Sequence, residues 1–292
     1  MPRSADQEKL VQLGFSAFGL SPREFFLLKD KFLTLETAWK AGTGELIRAG
    51  LSSKRANQLA LFALKFDLSS YFLRLRENKI DCLSYCDKNY PTSLINLDDP
   101  PFLLYGKGRL GLLKETCLAV VGSRRATAYG KKMTSRLVSN LVKKKIVIVS
   151  GLAQGIDSAA HLAALKYQGK TIAVMGTGLD RVYPPTNLNL ARKIVKQGGL
   201  ILSEFPLGFP LKKENFPWRN RIVSGLSRGV LVIEGRKWSG TMITAKLAAY
   251  QGREVFALSG RADEPASFVP NLLIKQGAKL VETADDIYQE LV

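Results

Sequence analysis

The side chains of this sequence best suited to chemistry are flat or cationic rather than nucleophilic. In Phe216-Pro217-Trp218-Arg219-Asn220-Arg221-Ile222 two aromatic rings and two guanidinium groups alternate, and the segment runs through Val223-Ser224-Gly225-Leu226 to the apolar stretch Val230-Leu231-Val232-Ile233. Rings can stack on bases while guanidinium groups track phosphates, which is how a single nucleic-acid strand is held. Phe216 and Trp218 fit a packed core equally well, with the arginines as its solvated rim, so the neighbouring motifs must decide.

Further phosphate-binding chemistry recurs where apolar runs end. In Gly122-Ser123-Arg124-Arg125, glycine and serine N–H groups beside a guanidinium make a clamp whose charge-assisted bonds to phosphate can be bidentate. Ser150-Gly151-Leu152-Ala153-Gln154-Gly155-Ile156-Asp157 has two glycines that let loop amides face a ligand, and Asp157 is placed to cap the next helix. Gly176 and Gly178 bring backbone close again, with Arg181 for a phosphate, Tyr183 for a base and Asn187 just beyond. Ser203-Glu204-Phe205-Pro206-Leu207-Gly208 leads through Lys212 and Lys213 into the aromatic and arginine segment, and after Glu234-Gly235 the run Ser239-Gly240-Thr241 opens a helix whose free N–H groups attract anions. One such loop has an easy structural explanation; five in succession point to a polyanion.

Catalysis has little to work with. His161 is the only histidine, so a serine triad or a zinc hydrolase rests on one residue. Asp157 and His161 are four apart and share a helix face, but no nucleophile accompanies them and capping and packing explain both. Cys82, Cys86 and Cys117 cannot all pair and offer no second ligand pair for zinc, so reduced thiols and no metal are expected. A dinucleotide fingerprint needs three glycines after the first strand and an acid near the end of the second. The chain has Ser123-Arg124 and Ser150-Gly151 there, so NAD is excluded and no cofactor is expected.

These residues need a frame. Leu118-Ala119-Val120-Val121, Ile146-Val147-Ile148-Val149, Thr171-Ile172-Ala173-Val174-Met175, Leu200-Ile201-Leu202, Val230-Leu231-Val232-Ile233 and Val255-Phe256-Ala257-Leu258 are short, continuously apolar and separated by amphipathic helical stretches. Such runs are strands covered on both faces, hence a parallel α/β sheet whose strand carboxyl ends form a ligand-binding rim. Before them, residues 1 to about 70 read as short helices, with Ser21-Pro22 as N-cap and first helical residue and with Thr43-Gly44 and Ala49-Gly50-Leu51-Ser52 as turns. Between them Tyr90-Pro91 and Asp99-Pro100-Pro101 exclude a long helix, while Phe102-Leu103-Leu104-Tyr105 is a plausible strand. The expected division is a helical domain at 1–75, an extension packed on the next domain at 76–116 and a Rossmann-like domain at 117–292.

At 292 residues and 46% hydrophobic the chain can bury its own core, and a net charge of +18 attracts polyanions, nucleic acid first and an anionic membrane surface second. No apolar run approaches the roughly 20 residues that span a bilayer, and Met1-Pro2-Arg3-Ser4-Ala5-Asp6 lacks the apolar region of a signal peptide. A cytoplasmic protein is expected.

Taken together, Gly122-Ser123-Arg124, Ser150 to His161, Gly176-Thr177-Gly178-Leu179-Asp180, Phe216 to Ile222 and Ser239-Gly240-Thr241-Met242-Ile243-Thr244-Ala245 resemble the bacterial DNA-processing protein A family (DprA, also called Smf) over roughly residues 80 to 280. The resemblance implies an extended Rossmann-like domain, not an enzyme, that binds and protects single-stranded DNA and loads the RecA recombinase onto it during natural transformation. It implies that Arg124 contacts DNA and that the chain forms a homodimer through the helix around Thr244, Leu247 and Ala248 and the segment containing Leu273 and Ile274. The amino-terminal helices are similar to the sterile-alpha-motif-like (SAM-like) domain of many members. Many members continue into a winged-helix domain, whereas this sequence stops at Leu291-Val292, which puts the duplex binding or partner contacts assigned to that domain in doubt. Two rival readings use the same loops: a nucleotide or nucleoside-monophosphate hydrolase with Glu204 or Asp157 as its acid-base residue, of which Glu234-Gly235 is a faint echo, and a structural RNA-binding protein.

Overall fold

Apolar runs that no water-facing strand would carry become the middle of one sheet. The computed structural model describes residues 4–291, so the readings made on Met1–Arg3 and on Val292 lie outside the described residues. Six helices come first, α1 (Ser4–Phe18), α2 (Pro22–Lys31), α3 (Leu35–Lys40), α4 (Thr43–Arg48), α5 (Ser53–Lys65) and α6 (Leu68–Glu77). There follow β1 (Asp81–Ser84), α7 (Thr92–Ile95), β2 (Leu103–Gly108), β3 (Cys117–Val121), α8 (Ala128–Lys143), β4 (Val147–Ser150), α9 (Ile156–Lys166), β5 (Thr171–Met175), α10 (Leu188–Lys196) and β6 (Leu200–Ser203). The chain closes with α11 (Asn215–Gly225), β7 (Gly229–Val232), α12 (Gly240–Tyr250), β8 (Glu254–Leu258), α13 (Phe268–Lys275), β9 (Lys279–Val281) and α14 (Asp285–Leu291).

All nine strands join one sheet in the order β1-β2-β6-β5-β4-β3-β7-β8-β9. From β3 to β9 every pairing is parallel, and β2 joins β6 antiparallel with β1 outside it. The architecture is α/β, an extended Rossmann-like sheet preceded by small helices, as the sequence pattern indicates. Burial on both faces is visible within β3, where Cys117, Ala119 and Val121 enter one core cluster and Leu118 and Val120 the other. Successive side chains of a strand point to opposite faces, so only an unbroken apolar run can satisfy both.

The amino-terminal helices start where the sequence signals say. The Ser21 hydroxyl accepts from Glu24 N–H at 3.2 Å while the Glu24 carboxylate accepts from Ser21 N–H at 2.9 Å, closing a capping box around Pro22. Thr43-Gly44 is the first turn of α4 rather than a connection, because Gly42 takes the cap position. Phe15, Phe25, Leu28 and Trp39 build a core that continues into Phe102, Leu103 and Tyr105 of β2. Phe25 stacks on Phe102 with centroids 4.0 Å apart, and Tyr105 donates its hydroxyl to Ser16 at 2.8 Å. Thus β2 serves two cores, since Leu104 turns to the sheet cluster instead. β1 and β9 have no counterpart among the apolar runs. Asp81 and Lys279 begin them, and edge strands carry such polar residues readily.

The chain steps from β3 out to β6 on one side, then returns to start β7 on the other side of β3. At such a reversal the loops after neighbouring strands diverge and leave a crevice at their carboxyl ends. The loops after β3, β4 and β7 meet there, under α11.

Candidate nucleic-acid interface

That crevice is a cleft of about 550 Å³ lined by Gly122, Ser123, Arg124 and Arg125 after β3, by Gly151, Ala153 and Asp157 after β4, by Phe216, Pro217, Arg219, Asn220 and Val223 of α11, and by Arg236, Lys237, Ser239, Gly240, Thr241, Ile243 and Thr244 between β7 and α12. A smaller nook adjoins it, where Gln154, Tyr183 and Pro184 meet Arg124, Gly151, Phe216 and Arg219. The structure therefore brings together residues from four separate loops that the sequence offered one by one.

Each wall has a local cause. Gly155 sits at φ +81°, and a Cβ there would lie 2.1 Å from the Ser123 carbonyl oxygen, so the β3 and β4 loops touch through backbone. Ile156 N–H donates to the same oxygen at 3.1 Å, which leaves Arg124 and Arg125 turned out to water. The Arg124 guanidinium lies 5.8 Å from the centroid of Phe216, whose ring in turn lies 5.3 Å from Tyr183. A cation beside two partly exposed rings matches the arrangement that accepts a base and its phosphate. The same cleft is lined by the amino end of α12, capped by Ser239 with no side-chain hydrogen bond, so its first N–H groups are available there.

The arginines of α11 behave differently from the expectation. Arg219 is buried and its Nη1 donates to the Gly151 carbonyl at 2.6 Å and to the Val174 carbonyl, while Nε reaches Asn220 Oδ1 at 3.2 Å. Burial lowers its pKa to about 10 against the pull of Asp157. Asp157 accepts from Gly151 N–H at 3.0 Å, and burial raises its carboxyl above the ordinary range although Arg219 and the loop amides oppose this. A Cβ on Gly151 would come within 2.4 Å of Arg219 and 2.7 Å of Asp157, so that glycine makes room for the pair. Arg221 is buried too, its Nη2 2.5 Å from Glu204 Oε1 and its guanidinium 4.3 Å from the Trp218 ring centre. Trp218 donates its indole N–H to Glu204 Oε2 at 2.9 Å. Both arginines hold the fold together, and only Arg219 borders the cleft.

Other candidates stand behind the surface. Asn187 is buried and spends its amide N–H groups on the Leu152 carbonyl at 2.8 Å and the Ser158 hydroxyl at 2.9 Å. Gly176 backs onto Phe216 and Gly178 onto the Pro206 carbonyl, so they fix the ring's support rather than meet a ligand. Lys212 is exposed on the approach to α11 and lines neither cavity. Of the dimer candidates, Thr244, Ala248 and Leu273 are buried in the chain's own core and have no surface to give a partner, while Leu247 and Ile274 are half-buried. Their exposed neighbours are Ile243, Tyr250 and Phe268.

The possible catalytic groups are equally occupied. Glu234 accepts from Thr127 N–H at 3.0 Å and from the Thr127 hydroxyl, which anchors the amino end of α8. His161 is buried, its Nδ1 2.7 Å from the Thr171 hydroxyl, and burial drives its pKa down to about 3, so the ring is neutral. That hydroxyl donates onward to the Ile148 carbonyl at 2.6 Å, which makes Nδ1 the protonated nitrogen. Among the described residues no group of three or more histidine, cysteine and acidic side chains could hold a metal, and no helix is long and apolar enough to cross a membrane. Sequence reading passed over Arg236 and Lys237. Their signal was position, directly between a strand end and the helix start already marked by Ser239.

Comparison with known proteins identifies the family. Residues 81–292 match the family described as DNA recombination-mediator protein A. DNA processing protein DprA of Bacillus subtilis is 41% identical over 262 residues, covering 87% of this chain and 88% of that protein. Protein Smf of Escherichia coli is 42% identical over 246 residues, covering 84% of this chain, which spans 66% of Smf. Among solved structures, DprA of Streptococcus pneumoniae superposes with a TM-score of 0.83 at 36% identity over 99% of both chains. DNA processing protein A of Helicobacter pylori, whose structure is described as giving insight into a unique single-stranded DNA binding mode, has a TM-score of 0.66 at 34% identity, over 73% of this chain and 95% of that one. The chain belongs to the DNA recombination-mediator protein A family, the DprA and Smf proteins.

Proposed function

We propose that the cleft at the carboxyl ends of β3, β4 and β7 binds a single strand of DNA, and that the chain protects this strand and passes it to a RecA-type recombinase during natural transformation. The observation that carries the reading is Arg124, exposed beside the Phe216 ring in the cleft that the amino end of α12 also lines. Phosphates lie on Arg124, Arg125, Arg236, Lys237 and the α12 N–H groups, and bases stack on Phe216 and Tyr183. The single-stranded DNA binding described for the Helicobacter pylori relative supports the choice of ligand. Pairing of two protomers through the outer face of α12 and α13 adds avidity along one strand; Leu247 and Tyr250 suit that contact better than the buried Thr244 and Ala248. Binding without turnover fits the commitment of Asp157, Glu204 and Glu234 to internal partners.

The test is the salt dependence of oligonucleotide binding. Arg124→Ala weakens affinity and reduces the slope of log K against log salt by about 0.7, the value for one phosphate contact on a single strand. An unchanged slope and affinity remove Arg124 from the interface. Release of free base from a nucleoside monophosphate by the parent protein would instead support the hydrolase.

A further inference from the structure

We infer that Trp238 is a second base-stacking position, on the rim of the cleft that Phe216 lines; the inference rests on the single-strand reading above. Trp238 is 91% exposed, although tryptophan is among the side chains with most apolar area to hide. Of the other two, Trp39 is buried and Trp218 is held by Glu204 and Arg221. Its backbone is in the left-handed region at φ +65°, where a bulky residue is a genuine outlier. Exposure and strain at one position find no return within the fold, and strained residues gather where a ligand is handled.

The surroundings identify that ligand. Residues on both sides, Arg236, Lys237 and Ser239, line the cleft, so the indole stands on its rim. The Lys237 ammonium lies 5.5 Å from the Trp238 ring and 6.0 Å from the half-exposed Phe268 ring. Arg124 beside Phe216 likewise sets a cation against a ring that lines the cleft. Lys237 and Trp238 immediately precede the Ser239 cap of α12, whose amino end takes anions. A strand laid along the cleft therefore stacks one base on Phe216 and another on Trp238 and puts phosphates on the helix end and the basic side chains. A flat, sequence-tolerant surface of this kind suits a nucleobase of any identity.

The experiment compares the full chain with Trp238→Ala, Trp238→Phe and Phe216→Ala on thymidine oligonucleotides and on abasic oligonucleotides of equal length at fixed salt. Trp238→Ala is expected to lose about five- to hundred-fold in affinity for the thymidine strand, to bind the abasic strand like the parent, and to keep the parent's salt slope. Trp238→Phe should recover most of the loss, and the quench of tryptophan emission on adding the thymidine strand should largely disappear in it. Equal affinity of Trp238→Ala and parent for the thymidine strand overturns the inference. If Phe216→Ala is weakened in that case, the cleft reading survives without Trp238; if Phe216→Ala is also unaffected, the cleft itself is lost. A shift of the monomer–dimer equilibrium on sedimentation, with affinity per protomer unchanged, also overturns it and assigns the ring to a contact between copies.

Discussion

Arg219→Met separates an arginine that holds the site together from one that binds phosphate. Methionine keeps the buried stem of the side chain but removes the donors to the Gly151 and Val174 carbonyls and the cation facing Asp157. Leaving two buried carbonyls without their donor and Asp157 without the nearby buried cation costs on the order of 3–5 kcal/mol, because these groups stay buried and uncompensated. A chain of 292 residues has a urea slope near the top of the roughly 1–3 kcal/mol per molar range, so the midpoint should fall by on the order of 1–2 M at unchanged slope. Acid should narrow the deficit. Asp157 has a folded pKa above its unfolded value, so its favourable contribution is present at low pH and is lost as pH rises through the folded pKa; without Arg219 that folded value rises further. Circular dichroism during urea titration at several pH values measures both effects, and oligonucleotide binding by the folded variant should keep the parent's salt slope. If Arg219→Met unfolds at the parent's midpoint yet loses about 0.7 from the slope, Arg219 is a phosphate ligand and the reasoning from burial is wrong.

Phe216→Ala should weaken single-strand binding by about five- to hundred-fold through lost stacking, with the salt slope unchanged because no phosphate contact is removed; fluorescence anisotropy at several salt concentrations reads both. His161, held neutral with its pKa lowered to about 3, stabilises the fold above the ordinary histidine value, and that contribution is lost as pH falls. Between pH 7.5 and about pH 5.5 the urea midpoint should drop by the equivalent of about 1.4 kcal/mol, and His161→Gln should remove this pH dependence; a flat profile in the parent refutes the neutral assignment.

Much of this was legible in the sequence because the strands carry their own signal. A run such as Leu118-Ala119-Val120-Val121 has no polar side to turn to water, so it can only be a buried strand, and its end marks the rim. Arg124 and the Ser239-Gly240-Thr241 helix start follow from that rim directly, since both sit within a few residues of a strand end. Burial did not follow. Arg124 and Arg219 are the same residue type in similar-looking motifs, but Arg219 lies under the loop that Gly151 opens, and nothing local in Trp218-Arg219-Asn220 encodes a neighbour sixty-eight positions away. Asn187 was unreadable for the same reason, its partners being Leu152 and Ser158. For the dimer candidates the helix phase was available but unused, since Thr244 and Ala248 are one turn apart and must face the same way, and that way is the sheet.

The alternation of rings and guanidinium groups from Phe216 to Arg221 looks like a single row of ligands, and would be one on an extended strand. On a helix it cannot be. Each residue turns about 100° from the last, so side chains three and four apart share a face. Of α11, the cleft receives Phe216, Arg219, Asn220 and Val223 with Pro217 at its edge, which is that helical row. Trp218 and Arg221, three apart, form the next row and meet at Glu204 instead. The helix therefore splits the motif into one ring at the cleft and one beside Glu204, with both guanidinium groups buried. Cations left over for phosphate must then come from loops, where nothing buries them. Arg124 and Arg125 after β3 and Arg236 and Lys237 after β7 are all exposed, and they flank the point where the sheet reverses direction. A buried arginine beside a ligand cleft gives shape, whereas an exposed one gives charge, and the sheet topology decides which loops can afford the second kind.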